Sequence, residues 1–128
     1  MNDALIDSAV VVDFLRGHTG AVTFLNTVRA SGRPVTHVVT VAEVLEGARN
    51  AREQAALRNF FTGFDVVPAN EADSLFSIEL LAGFRLSHGV GWPDCLIAAT
   101  ALRMGRPVAT TNIKHFAPLP NLQVVRPY

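Results

Sequence analysis

Short apolar runs rich in Val, Ile and Leu alternate along this chain with longer segments of helical period, and that alternation leaves few architectures open. Ala4 to Asp7, Pro34 to Val39, Phe64 to Val67, Pro107 to Thr111 and Leu122 to Val125 read as strands. Between them, Val10, Val11, Phe14 and Leu15 share one helical face before Gly17, and a second helix spans Thr19 to Ala30 with Ala21, Leu25 and Val28 in period. Thr40 opens a third helix with Val41, Val44, Leu45 and Ala48 facing inward, and a fourth covers Ala51 to Phe61. Asn70 caps a long helix carrying Leu75, Ile78, Leu81 and Ala82 that runs to about His88. The last predicted helix, Pro93 to Met104, has Pro just inside its start and Gly105 just past its end. Its centre, Cys95 to Ala101, is apolar all round apart from Thr100 and is expected to be buried on most sides. The order implies an α/β fold with a mainly parallel sheet.

At 128 residues the chain is expected to form one domain, spanning 1–128. Apolar residues at 49% exclude intrinsic disorder, and eleven Lys plus Arg against eleven Asp plus Glu exclude a strongly basic nucleic-acid binder. The single thiol, Cys95, has no intrachain partner, which suits a reducing compartment. No apolar stretch reaches the roughly 18 residues a membrane span needs. The acidic Asp3 and Asp7 stand where a signal peptide would be basic. A soluble, cytoplasmic protein with no membrane partner is the expectation.

With so few acids, their positions carry information. Asp7 ends the first strand, Glu43 lies just past the second, Asp94 begins the buried helix, and Asn112 follows the fourth strand. In open parallel sheets ligands bind outside the carboxyl ends of the strands, so these residues are expected at one cleft. Simpler roles compete: Glu43 completes Thr40-Val41-Ala42-Glu43, a capping-box pattern, and Asp94 suits a first helical turn. Asp7, set between Ala4-Leu5-Ile6 and Val10-Val11-Val12, has little reason to be there for stability. Asp13 reads as a solvated residue or a support for the cleft. Three carboxylates in one cleft repel one another unless a cation neutralises them. Oxygen donors without a His or Cys cluster select Mg²⁺ or Mn²⁺, which would assist hydrolysis of a phosphate ester.

These residues resemble the PIN-domain nucleases, in particular the VapC-type toxins of bacterial toxin-antitoxin pairs. Leu5-Ile6-Asp7-Ser8 with the run to Gly17 is similar to the family's first motif, and Thr40 to Ala48 resembles the second. Asp94 to Ala101 resembles the third, and Ala109 to Phe116 the fourth. The resemblance implies a three-layer α/β/α sandwich, a Mg²⁺- or Mn²⁺-dependent endoribonuclease acting on RNA, a homodimer and inhibition by a cognate antitoxin. It makes Asp7 and Asp94 the principal metal ligands, Glu43 a water-mediated ligand or water-positioning group, and Ser8 a hydroxyl that orients Asp7. Asn112, with His115 three residues on, stands where many members carry an acid, which favours one metal over two. Lys114, His115 and Arg85 are candidate RNA-binding residues. Trp92 is expected to anchor its loop rather than stack on a base. A receiver domain is disfavoured by Asp7-Ser8 and Val67-Pro68-Ala69, and a dehalogenase-like phosphatase by Asp7-Ser8-Ala9; a PIN domain that binds without cutting remains the alternative.

Overall fold

The computed structural model describes residues 3–128. Five parallel strands, β1 (Leu5–Ile6), β2 (Val35–His37), β3 (Asp65–Val67), β4 (Val108–Ala109) and β5 (Val124–Val125), lie in the order β3-β2-β1-β4-β5. Leu5 pairs with Val35 on one side and Val108 on the other, and Ile6 with Thr36 and Ala109. Successive strand residues point to opposite faces, so each face builds its own core. Leu5, Val35 and Val108 pack with Leu80, Val90, Ile97, Phe116 and Leu119. Ile6 and Ala109 pack on the other face with Val10, Val11, Leu25, Val28, Val44 and Phe61.

Seven helices supply those outer layers: α1 (Ser8–Leu15), α2 (Thr19–Ser31), α3 (Val38–Glu46) and α4 (Ala51–Phe61) on one face, and α5 (Glu71–His88), α6 (Trp92–Met104) and α7 (Ile113–Phe116) on the other. The result is the expected three-layer α/β/α sandwich. Residues 95–101 of α6 are all buried, as their apolar sequence predicts, and each large side chain there contributes about 1.5–3 kcal/mol of burial. Left-handed Gly89 and Gly105 close α5 and α6, conformations that a side chain would strain.

Three elements depart from the sequence expectation. The third helix begins at Val38, with His37 as its cap: His37 Nδ1 accepts from the Val39 N–H at 3.0 Å. Thr40 is therefore inside the helix and the predicted capping box does not form. Helix α5 is turned so that Asp73, Ser77 and Leu80 are buried, while Leu75 and Ile78 are 65% and 53% exposed. Asp73 can face inward because it accepts from Arg103 Nε at 2.8 Å, from the Thr100 hydroxyl at 3.1 Å and from the Asn70 N–H at 3.0 Å. Burial alone would raise its pKa, and these three donors outweigh burial and lower it. The short α7 had no counterpart in the periodicity, being a single turn.

Candidate functional site

The strand order reverses direction between β1 and β4: β2 and β3 lie to one side of β1, and β4 and β5 to the other. Main-chain groups diverge at such a switch point and leave a crevice at the carboxyl ends of the strands. Asp7 follows β1 directly and Thr110 follows β4 directly. A cavity of about 570 Å³ opens there, lined by Asp7, Glu43 and Asp94 together with Asn112, His115 and Arg85. The sheet edge thus brings together the four predicted catalytic positions from four separate segments.

Asp7 is the N-cap of α1 and only 3% exposed. Thr110 Oγ1 donates to its Oδ2 at 2.8 Å, and Ser8 Oγ makes a long contact of 3.5 Å to Oδ1. The Thr110 oxygen also accepts from the Asn112 N–H at 2.9 Å, so one hydroxyl joins the first and fourth motifs. Burial raises the Asp7 pKa, and donation from Thr110 and from the Ser8 and Ala9 backbone offsets only part of that. Of the two hydroxyls at Asp7, Thr110 makes the shorter bond and Ser8 the longer. The sequence offered no signal for Thr110 beyond its place two residues before Asn112.

Asp94 sits in the first turn of α6, just after Pro93. Burial, then the charge of Asp7, pushes its pKa up to about 6, against the opposing influence of His115. His115 Nδ1 lies 3.1 Å from Asp94 Oδ2 and 2.7 Å from the Asn112 side-chain nitrogen. One ring nitrogen cannot donate and accept at once. With Asp94 ionised, the ring N–H serves the carboxylate; with Asp94 protonated, the same nitrogen accepts from Asn112. His115 and Asn112 therefore stand beside Asp94 as a hydrogen-bonded pair.

Glu43 projects from α3 into the cavity and has no hydrogen-bond or ion-pair partner among the described residues. Its pKa is raised by burial, then by Asp7, Asp94 and Glu46. Loss of the capping box removes the structural explanation for this residue. One turn earlier on the same helix, the Thr40 hydroxyl is buried without a hydrogen-bond partner among the described residues. The remaining candidates divide. Arg85 lines the cavity, whereas Lys114 is exposed and does not. Trp92 donates from Nε1 to Ser77 Oγ at 2.9 Å and so anchors its loop. Asp13 lines the cavity with Oδ2 taken by the Tyr128 hydroxyl at 2.7 Å.

The donor set suits a hard divalent cation. Burial raises the pKa of all three carboxylates, and the charge of Asp7 adds to this at both Asp94 and Glu43, an arrangement a cation would stabilise. Among the described residues no three His, Cys, Asp or Glu side chains converge closely enough to ligate one ion directly. An ion held by one or two of these carboxylates would keep several waters, as Mg²⁺ does, and oxygen donors suit Mg²⁺ better than Zn²⁺, which favours His and Cys.

Comparison with known proteins agrees with the fold. The PIN domain model matches residues 4–119. Ribonuclease VapC19 of Mycobacterium tuberculosis is 36% identical over 121 residues, 93% of this chain and 96% of that protein. Ribonuclease VapC10 of the same organism is 35% identical over 113 residues, 88% and 84% of the two chains. A chain in a toxin-antitoxin complex from Klebsiella pneumoniae superposes with a TM-score of 0.78 at 26% identity, covering 98% of each. With its motifs gathered at one sheet edge and these relatives matching nearly end to end, the chain belongs to the PIN-domain family, among the VapC proteins.

Proposed function

We propose that this protein is a Mg²⁺- or Mn²⁺-dependent endoribonuclease, the toxin of a toxin-antitoxin pair that arrests translation and growth. The observation that carries the reading is the convergence of Asp7, Glu43 and Asp94 on one cavity at the switch point of the sheet. Two curated relatives, both named ribonucleases, support the substrate class.

Asp7 and Asp94 would hold the ion, Asp7 fixed by Thr110 and Asp94 by His115. When bound, the metal polarises the phosphodiester and favours ionisation of a water. Glu43 is the general base: its oxygens are free of other partners, and its raised pKa brings proton affinity closer to neutrality. Asn112 presents a neutral amide beside Asp94, so the cluster has three negative charges and suits one ion. Ser8 and Thr110 keep the Asp7 carboxylate from turning away.

A groove lined by Val12, Leu15, Val44 and Leu57 runs into the cavity, sharing Arg16 and Glu43 with it. It is the proposed seat of the antitoxin, as an apolar segment laid in this groove would reach the carboxylates. The exposed Leu75, Phe76 and Ile78 on α5 support a homodimer. Buried, unpaired Cys95 and the lack, among the described residues, of a helix able to cross a membrane support a cytoplasmic location for this single domain. The reading is tested by inducible expression in bacteria. Growth arrest by the wild type and not by Asp94→Asn is expected, and harmless expression of both contradicts it.

A further inference from the structure

Two arginines line the carboxylate cavity, Arg16 and Arg85, and they come from different helices. Arg85, in the last turn of α5, is braced: its Nη1 donates to Gly89 O at 3.2 Å and to Val90 O at 3.1 Å. Arg16 caps the C-terminus of α1 and its side chain has no hydrogen-bond or ion-pair partner among the described residues. Most other arginines are engaged. Arg33 pairs with Asp65, Arg49 with Glu53, Arg103 with Asp73, and Arg106 donates to Asp3 O. The acid best placed to neutralise Arg16 is Asp13, one turn before it on α1. That carboxylate accepts instead from the Tyr128 hydroxyl, whose ring is seated against Gly20 so closely that a Cβ there would lie 2.9 Å from it. The fold thus leaves a free guanidinium at the rim of the cavity that holds the carboxylates.

We propose that Arg16 binds a phosphate of single-stranded RNA that flanks the one being cut, with Arg85, from a different helix, as a second contact to the strand. This rests on the ribonuclease reading above. Asp7 and Arg16 are the two ends of α1, and nine residues at about 1.5 Å each separate them by about 13 Å along the helix axis. A guanidinium carried on the far end of this helix is better placed for a flanking phosphate than for the one held at Asp7. A chain of zero net charge has no general field to attract RNA, so attraction must be local, at the cavity rim. The contact is made equally by substrate and transition state, so it governs capture of the strand more than the chemical step.

The test uses the full chain carrying Asp94→Asn, so that RNA is bound and not cut, and a fluorescent single-stranded RNA of roughly ten nucleotides. Affinity is measured across a series of KCl concentrations, with circular dichroism as a check on folding. For single strands each phosphate contact adds about 0.7 to the slope of log K against log salt. Adding Arg16→Ala is expected to weaken binding about tenfold and to lower the slope by about 0.7, and Arg16→Lys to restore the slope. In the active enzyme Arg16→Ala should raise KM more than it lowers kcat. An unchanged slope with normal folding overturns the role of Arg16 while leaving the ribonuclease reading intact, and points to a protein carboxylate as its partner. Failure of the Asp94→Asn parent to bind RNA at any salt overturns both.

Discussion

The Thr110 hydroxyl, at the end of β4, donates to Asp7 Oδ2 at 2.8 Å, joining residues 103 positions apart at the point where the sheet reverses its order. The same oxygen accepts from the Asn112 N–H, so the two central motifs of the site are set by a single side chain. Groups that orient a ligand's carboxylate are often worth as much to a metal site as the ligand itself. Thr110→Val keeps the shape and removes the hydrogen bond. Mn²⁺ affinity, measured by titration calorimetry, is expected to fall roughly tenfold or more, and Thr110→Ser to retain most of it.

If Asp94 holds the ion as proposed, the pH dependence of metal binding follows from it. Burial and then Asp7 raise its folded pKa from 3.8 to about 6. Between those values the folded, metal-free chain holds a proton that the unfolded chain has released, so this group's contribution to stability declines as pH rises through that window. Metal requires the ionised form. Mn²⁺ affinity is therefore expected to climb steeply as pH is raised through about 6, and chelator should lower the melting temperature more at pH 7 than at pH 5. A flat affinity over this range would place the ion elsewhere.

A second polar network lies away from the cavity and serves the fold. His37 caps α3 through Nδ1, which leaves Nε2–H to donate to Thr100 at 2.9 Å, and Thr100 in turn donates to Asp73. It links α3, which carries Glu43, to α6, which carries Asp94. Burial lowers the His37 pKa first, with Asp73 opposing, so the neutral ring that the cap requires is favoured. Thr100→Val leaves His37 and Asp73 each short of a partner and is expected to cost about 1–3 kcal/mol in urea denaturation. His37→Ala also removes the cap, worth about 1 kcal/mol more. Asp73 has a depressed pKa, so its contribution is present above 3.8 and is lost as pH falls below that value.

How much of this was legible in the sequence depended on whether a residue's reason was local. Asp7 stood out because a carboxylate between two apolar runs is costly, and α4 was bounded correctly at Ala51 and Phe61 by its own residues. The face of α5 was not legible: Asp73 and Ser77 turn inward only because Arg103, Thr100 and Trp92 meet them from distant parts of the chain. Glu43 looked like half of a capping box until His37, an unusual cap, took the cap position three residues before Thr40. Thr110 read as an ordinary strand residue, and nothing in the run to Gly17 singled out Arg16. Their roles arise from what the topology sets beside them.

Cleavage of RNA by the purified chain measures the central claim most directly. Hydrolysis of a mixed-sequence single-stranded RNA is expected with Mg²⁺ or Mn²⁺, to stop with EDTA, and to fall by at least about a hundredfold in both Asp7→Ala and Asp94→Asn, given what removal of metal-holding groups costs. Cleavage that persists undiminished in both variants, or in EDTA, would contradict the assignment of this cavity as the catalytic site.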